Sequence, residues 1–221
     1  TLSDVKDAVT IFGSARTKPE EPMYQKAVEL ARLLGEAGFS IITGGGPGIM
    51  RAGNEGASQA GVPSIGLNIE LPFEQNLNPY TTKSIDFHYF FTRKTMFLKY
   101  ACAFVIFPGG FGTMDELFES LTMIQTGKIR NFPVVLFGKN YWKGLLEWIR
   151  STMMVEGKIS TGDLDLLVPR GELGRACGLL VDLGYRPIFD VALAEYLRIT
   201  LRGGHHVGLR HARHGTYVEV H

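Results

Sequence analysis

The chain has 221 residues, and its 23 Lys and Arg nearly balance its 22 Asp and Glu, which leaves a formal net charge of +1. This length suffices for one α/β domain with a full core, and the small charge gives no sign of a nucleic acid or an anionic membrane as partner. No apolar run reaches the length of a membrane span, and residues 1–7 are polar and lack the core of a signal peptide. Two cysteines do not suggest a disulfide framework, so we expect a cytoplasmic protein.

Short apolar runs alternate along the chain with segments whose apolar residues recur at helical spacing. The predicted strands are 9–12, 39–42, 63–67, 85–90, 103–107 and 133–137, and the predicted helices are 22–38, 49–60, 93–100, 113–125 and 142–156. Residues 71–82 contain two prolines and are predicted to be a loop. Because most of the strands are continuously apolar, the pattern indicates an α/β fold with a parallel sheet covered by helices on both faces.

Two glycine-rich turns each join a predicted strand to a predicted helix. The first is TGGGPGIM at 43–50, and the second is FPGGFGTMDE at 107–116. Such a junction places bare backbone N–H groups at the positive end of a helix, which suits an anion. Together with GSAR at 13–16, both turns should lie at the carboxyl edge of the sheet, where α/β folds bind ligands. The sequence therefore predicts a phosphorylated ligand held between strand ends.

Neither turn matches a common nucleotide-binding motif. A dinucleotide fingerprint would place G-x-G-x-x-G after the first strand, but GSAR stands there and the glycine triplet follows the second strand. The chain has no G-x-x-x-x-G-K-[ST], which excludes a P-loop. These differences argue against an ordinary NAD site.

The segment 108–116 is the more specific of the two turns. Its glycines let the backbone approach a phosphate, and the hydroxyl of Thr113 can donate to the same group. Thr113 and Glu116 also have the spacing of a capping box, in which Glu116 would bond back to the Thr113 N–H. From spacing alone, a structural cap and a functional carboxylate are both open interpretations of Glu116.

Three features of the chain together resemble the LOG ("LONELY GUY") family, long labelled "possible lysine decarboxylase". They are GGGPGIM at 44–50, the pair Arg93-Lys94, and PGGxGTxxE at 108–116, and the resemblance covers roughly residues 8–165. It implies a Rossmann-like three-layer sandwich that hydrolyses the N-glycosidic bond of nucleoside 5′-monophosphates. The implied substrates are N6-substituted AMP, such as cytokinin riboside monophosphate, or AMP itself, and the products are free base and ribose 5-phosphate. The resemblance also implies a homodimer or higher homo-oligomer and no metal or organic cofactor.

The resemblance assigns Arg93 and Glu116 as the catalytic pair. The substrate- and phosphate-binding residues that it implies are Ser14, Gly45, Gly46, Gly48, Met50, Arg93, Lys94, Gly109, Gly110, Gly112 and Thr113. Cleavage of the bond builds positive charge on the ribose, which a carboxylate beside C1′ can stabilise while it orients or deprotonates water. The forked guanidinium of Arg93 would hold phosphate or ribose oxygens. No lysine is singled out for Schiff-base chemistry, so the decarboxylase label has no physical support.

Two non-enzymatic interpretations remain open. Molybdenum-cofactor carrier proteins resemble this fold and bind a phosphorylated pterin, and a nucleotide-sensing module would bind AMP without turnover. GLNIELP at 66–72 and the amide-rich loop 76–80 depart from the plant-type family pattern. The preferred base, and the choice between dimer and hexamer, therefore stay open.

The composition changes after residue 158. Residues 1–158 contain ten Lys and six Arg, whereas residues 159–221 contain no Lys and seven Arg, and five of the six His lie in the last 17 residues. We therefore predict a single domain over 1–165 and an atypical segment over 166–221, either a frameshifted terminus or a natural extension. The spacing of its histidines matches no structural zinc pattern, so no metal site is expected.

Overall fold

The structure is a computed structural model that describes residues 2, 5, 7–71, 77–129, 132, 134–160, 207–210 and 217–220. The chain divides into two compact units, Thr1–Val168 and Pro169–His221. The boundary at residues 165 and 166 stays a prediction from composition. Most of the atypical segment, including its five histidines, lies outside the described residues.

Strands and helices of the first unit follow one another in the predicted alternation. The strands are β1 (Ala8–Phe12), β2 (Ser40–Thr43), β3 (Ser64–Ile69), β4 (Lys83–Phe87), β5 (Ala101–Ile106) and β6 (Val134–Leu136). The helices are α1 (Pro22–Glu36), α2 (Ile49–Gln59), α3 (Phe90–Tyr100), α4 (Phe111–Gln125) and α5 (Lys139–Trp148), and a π-helical segment, Ile149–Met154, continues α5. No helix in the described part of the chain is long and apolar enough to cross a membrane.

The six strands form one parallel sheet in the order β4-β3-β2-β1-β5-β6. β1 lies inside the sheet, where Thr10 is paired with Ile42 of β2 on one side and with Phe104 of β5 on the other. The chain moves outward from β1 to β4 and then returns to the opposite side of β1. Right-handed crossovers therefore place α1 and α2 on one face and α4 on the other. The predicted α/β fold, with a parallel sheet covered on both faces, is confirmed.

The core is densest around the central strands. Every position of β1 and β2 is buried, whereas β4 at the edge alternates between more and less exposed side chains. At the carboxyl end of β1, the Phe12 ring meets the edges of Phe97 and Phe104, with ring centroids 4.9 Å apart in both pairs. Because Phe97 belongs to α3, this aromatic cluster anchors α3 at the end of the central strand.

The described part of the second unit consists of two short strands. β7 (Val207–Arg210) pairs antiparallel with β8 (Tyr217–Val220), with Val207 opposite Val220 and Arg210 opposite Tyr217.

Candidate active site

A cleft of about 700 Å³ opens at the carboxyl edge of the sheet. Residues 13–16 after β1 and residues 109–116 after β5 converge on it, Gly44 and Met50 line it from the turn after β2, and α3 adds Phe90, Arg93 and Phe97. The cleft lies where strand order reverses around β1, which is the usual ligand position in a doubly wound sheet. Its size is that of a small-molecule site.

Eight of the predicted site residues line this cleft. They are Ser14, Met50, Arg93, Gly109, Gly110, Gly112, Thr113 and Glu116. Four others, Gly45, Gly46, Gly48 and Lys94, are not among the described lining residues. The lining also contains side chains that the sequence analysis did not single out, namely Phe12, Arg16, Ile69, Leu71, Phe90, Phe111, Met114, Asp115 and Tyr141.

The turn after β5 presents free backbone donors to the cleft. α4 begins at Phe111, and its N-cap, Gly110, provides no side-chain hydrogen bond. Within the described part of the chain, no hydrogen bond reaches the N–H groups of Phe111, Gly112 or Thr113. Unpaired N–H groups at the positive end of a helix form an anion site without further side chains.

Thr113 is not the cap of α4, so the capping-box interpretation of Glu116 is wrong. Thr113 is the third residue of the helix and is only 7% exposed, and its side chain fills the space beside Gly109, where a β-carbon would overlap its hydroxyl. The side chain of Glu116 makes no hydrogen bond or ion pair with any of the described residues. The carboxylate is therefore available in the cleft.

Burial raises the pKa of Glu116 to about 7, because removal from water disfavours the charged carboxylate. The positive charges of Arg93 and Lys94 oppose this rise, whereas Glu119 and Asp115 add to it. Burial also lowers the pKa of Arg93, and the charge of Glu116 acts in the opposite direction on it. A half-buried carboxyl that titrates near neutral pH can either accept a proton or stabilise a developing positive charge.

The guanidinium of Arg93 is held from three directions. Its Nε donates a hydrogen bond of 2.7 Å to the carbonyl of Leu67 in β3, and its carbon lies 5.0 Å from the centroid of the Phe97 ring. On the third side lies Gly44, where a β-carbon would overlap a terminal nitrogen of Arg93. Only the Nε bond is formed among the described residues, so both terminal nitrogens remain free for oxygen atoms of a ligand.

The turn after β2 supports the cleft through its backbone. Gly48 has φ of +65°, and a β-carbon there would overlap the carbonyl oxygen of Ser14, so only glycine fits this close approach. The next residue, Ile49, donates its N–H to the same Ser14 carbonyl at 3.0 Å. This contact holds the loop 13–16 against the turn 44–50, which places Ser14 at the cleft.

The family model described as "Possible lysine decarboxylase" matches residues 50–172. The chain belongs to this family, the LOG family. The family resemblance predicted from the motifs is thereby confirmed.

Curated relatives of the LOG family match about two thirds of the chain. The chain is 29% identical over 148 residues to a probable cytokinin riboside 5′-monophosphate phosphoribohydrolase of Arabidopsis thaliana. The matched region covers 64% of this chain and 72% of that protein. It is 30% identical over 156 residues to a second cytokinin riboside 5′-monophosphate phosphoribohydrolase of the same plant. That match covers 67% of this chain and 69% of the relative. The molybdenum cofactor binding protein of Rippkaea orientalis superposes with a TM-score of 0.57 at 15% identity, over 83% of this chain and 100% of that chain. That last likeness shows the fold alone.

In this LOG-family chain, a buried amide network holds the turn after β2. Asn78 donates through Nδ2 to two carbonyl oxygens of the turn, at 3.0 and 3.1 Å, and to Oδ1 of Asn54 at 2.9 Å. Asn54 in turn accepts a bond of 2.6 Å from the Thr43 hydroxyl and donates one of 2.9 Å to Ser64. Sequence analysis singled out neither asparagine; the amide-rich character of residues 76–80 was a signal for Asn78, and no local pattern pointed to Asn54.

Lys94 is ion-paired with acidic side chains and is not part of the cleft lining. Its Nζ lies 2.7 Å from the Asp115 carboxylate and 3.0 Å from Glu119. No lysine occurs among the described lining residues, so they offer no Schiff-base amine for a decarboxylase of the pyridoxal type. Nor does the described part of the chain hold a group of three or more His, Cys, Asp or Glu able to hold a metal ion.

Proposed function

We propose that this protein hydrolyses the N-glycosidic bond of nucleoside 5′-monophosphates and releases free base and ribose 5-phosphate. The observation that carries the proposal is Glu116, a half-buried and unpaired carboxyl with a pKa of about 7, in the same cleft as Arg93 and the free N–H groups of α4. Membership of the LOG family and relatives named as cytokinin riboside 5′-monophosphate phosphoribohydrolases support the same reaction. N6-substituted AMP is the first substrate to test.

The phosphate would bind at the start of α4. The N–H groups of Phe111, Gly112 and Thr113, together with the Thr113 hydroxyl, offer donors at the positive helix end. Ser14, whose N–H donates to the carbonyl of Pro108 just before this turn, also lines the cleft and would flank the same group. With the phosphate fixed there, the guanidinium of Arg93 would hold ribose or phosphate oxygens and bring C1′ to Glu116.

The chemical step needs only water and the side chains of the cleft. As the C1′–N bond lengthens, its electron pair leaves with the base, and the ribose acquires oxocarbenium character that the Glu116 carboxylate stabilises. Water then forms the new C1′–O bond, and Glu116 accepts its proton. The departing base gains a proton from solvent, so that free base and ribose 5-phosphate are the balanced products.

A carrier function is the second candidate, because the fold is shared with a molybdenum cofactor binding protein. A carrier would hold a phosphorylated pterin at the same free N–H groups and would need no carboxylate at the reaction position. The unpaired Glu116 favours the hydrolase.

We also propose that the protein works as a homodimer or higher homo-oligomer. Three phenylalanine side chains at the starts of α3 and α4 are largely exposed in the single chain, at 53% for Phe90, 70% for Phe91 and 96% for Phe111, and Phe90 and Phe111 also line the cleft. Aromatic side chains are enriched at subunit interfaces, and exposed apolar surface is what such interfaces cover. Light scattering coupled to gel filtration tests this proposal, and a monomer at assay concentrations would reject it.

The decisive experiment measures release of free base from a panel of nucleoside 5′-monophosphates that includes N6-isopentenyl-AMP. We expect turnover by the wild type and a loss of about 10²-fold or more in Glu116→Gln, the contribution typical of a positioned acid or base. The exposed Glu147 provides the matched control, and Glu147→Gln should keep full activity. No turnover by a folded wild type would overturn the proposal, and tight pterin binding would then support the carrier.

A further inference from the structure

Lys94 joins the two helices that carry the proposed catalytic pair. It follows Arg93 in α3, and its two partners, Asp115 and Glu119, lie on α4 on either side of Glu116. The Lys94 side chain is 18% exposed, against 53% for Asp115 and 31% for Glu119, so the cation is the most buried member of the group. Among the described residues, these are the ion pairs that connect α3 with α4.

The acidic pair on α4 depends on this cation. Asp115 and Glu119 are four residues apart on one helical face, where two like charges repel each other. The buried Oε2 of Glu119 has no well-aligned hydrogen bond in the described structure, and its compensating charge is the Lys94 ammonium at 3.0 Å. Loss of the cation would leave a buried carboxylate oxygen without a partner, which is costly.

We propose that Lys94 is a positioning residue of the active site: its ammonium, held between Asp115 and Glu119, fixes α3 against α4 and so sets the geometry and charge balance between Arg93 and Glu116. This inference rests on the proposed function. It also replaces the prediction that Lys94 binds the substrate, because Lys94 is not among the described lining residues.

The charges of Lys94, Asp115 and Glu119 affect the pKa of Glu116, which a purely mechanical link between the helices would not do. Lys94 lowers the pKa of Glu116, whereas Glu119 and Asp115 raise it. Arg93 on α3 also lowers the pKa of Glu116, and the other charged or titratable groups in the described lining of the same cleft are Arg16 in the loop after β1 and Tyr141 on α5. Removing the cation and removing an acid both break the same ion pair, but they change the charge near Glu116 in opposite senses.

The test is therefore a pair of variants, Lys94→Met and Asp115→Asn, in which the Glu116 carboxyl is titrated by ¹³C NMR in the full-length free protein. The Glu116 signal is assigned by its absence in Glu116→Gln. We expect the Glu116 pKa to rise in Lys94→Met and to fall in Asp115→Asn, each by at least about 0.3 pH unit, the effect of a unit charge about 10 Å away in water. Shifts in the same direction, or no shift in either variant, would overturn the proposal.

Activity provides the second measurement. In the pH profile of kcat/KM, the acid limb should move with the Glu116 pKa in both variants, and Lys94→Arg, which keeps the charge, should stay near wild type. Lys143→Met is the matched control, because Lys143 forms an exposed ion pair with Glu147 and neither residue is among the described lining residues. Should Lys94→Met fail to fold, Lys94→Gln and Asp115→Asn serve the same comparison. Since the NMR titration needs no turnover, a failure of this proposal is distinguishable from a failure of the proposed reaction.

Discussion

Gly44 and Arg93 are complementary in shape, since the guanidinium of Arg93 and the sulfur of Met50 fill the space that a β-carbon on Gly44 would need. Gly44 belongs to the turn after β2, and Arg93 belongs to α3. The first glycine of the triplet therefore leaves space for a side chain that lies far away in sequence. The Leu67 carbonyl fixes the other side of the same guanidinium. The position of Arg93 in the cleft therefore depends on the absence of a side chain at residue 44.

A methyl group at residue 44 should displace Arg93. We expect Gly44→Ala to lower kcat/KM by about 10-fold or more, because small displacements of a positioning group are costly to rate. Its stability should fall by about 1–3 kcal/mol, as is usual for overpacking. Steady-state kinetics and urea unfolding measure the two effects.

Gly144 in α5 is the matched control, because a β-carbon there meets no atom within 4 Å. Gly144→Ala should keep wild-type activity and gain up to ~1 kcal/mol from helix propensity. Wild-type kinetics in Gly44→Ala would show that the Arg93 position tolerates the added methyl group.

The burial of Glu116 should lower the stability of the folded protein at neutral and alkaline pH, where the carboxyl is ionised in the unfolded chain. Its pKa is about 7 when folded, against an ordinary value of 4.5, so between these pH values the folded state binds more protons and stability falls as pH rises. Glu116→Gln should therefore raise Tm at pH 8 by at least about 2 °C, the shift that ~1 kcal/mol produces in a domain of this size. At pH 4, where the carboxyl is mostly protonated in both states, the two proteins should melt nearly alike.

Thermal unfolding followed by circular dichroism at pH 4 and pH 8 measures this difference. The exposed variant Glu147→Gln should show no gain at pH 8. Equal melting of wild type and Glu116→Gln at both pH values would contradict burial as the cause of the raised pKa.

The buried network around Asn54 should contribute strongly to stability. Asn54→Ala leaves Thr43, Ser64 and Asn78 without the partner they share, and we expect a loss of about 2–3 kcal/mol for these unsatisfied groups. Urea unfolding measures this loss. Asn68→Ala, which removes only an exposed bond to Asp86, should cost no more than about 0.5 kcal/mol. A similar small loss in Asn54→Ala would mean that solvent replaces the network.

Tyr141 should support the phosphate-binding turn. Its hydroxyl donates to the carbonyl of Gly109, and the ring lines the cleft. Tyr141→Phe removes this bond, and we expect KM for a nucleoside 5′-monophosphate to rise about 3- to 10-fold, in line with one hydrogen bond. The matching nucleoside, which has no phosphate, should bind both proteins equally in a calorimetric titration. An equal loss of binding for both ligands would place the effect outside the phosphate turn.

Local sequence patterns predicted the strands and most of the helices because each continuously apolar run lies in the covered sheet. They placed the start of α3 at Arg93, whereas the helix begins at Phe90, since three aromatic residues at 89–91 give no helical start signal. They also placed the start of α4 at Thr113, although glycine at 110 serves as the N-cap. The helix predicted for 142–156 is instead an α-helix that changes to a π-helical segment at Ile149.

The candidate site divides in the same way. Gly109, Gly110 and Gly112 stand in a contiguous motif, and their place in the cleft follows from the strand that precedes them. No local sequence pattern predicts the contacts of Asn54, Asn78 and Tyr141 with the glycine-rich turns. These contacts depend on the order of the strands and on the packing of α2 and α5. Lys94 shows the opposite case: its place in a family motif predicts a ligand contact, whereas the structure shows it ion-paired with α4.

The pairing of β1 with β5 has a consequence for how the chain folds. Thr10 must meet Phe104, and closing that loop costs about 1 kcal/mol more than the closure that pairs Thr10 with Ile42. During synthesis, β1 can therefore pair with β2 before β5 is present. The backbone groups on the other edge of β1, a strand of mostly apolar residues, then still lack their partner strand. An unpaired edge of this kind invites association with other chains. The arrival of β5 both covers this edge and brings the second glycine turn into place, so protection from aggregation and assembly of the cleft are one event in folding.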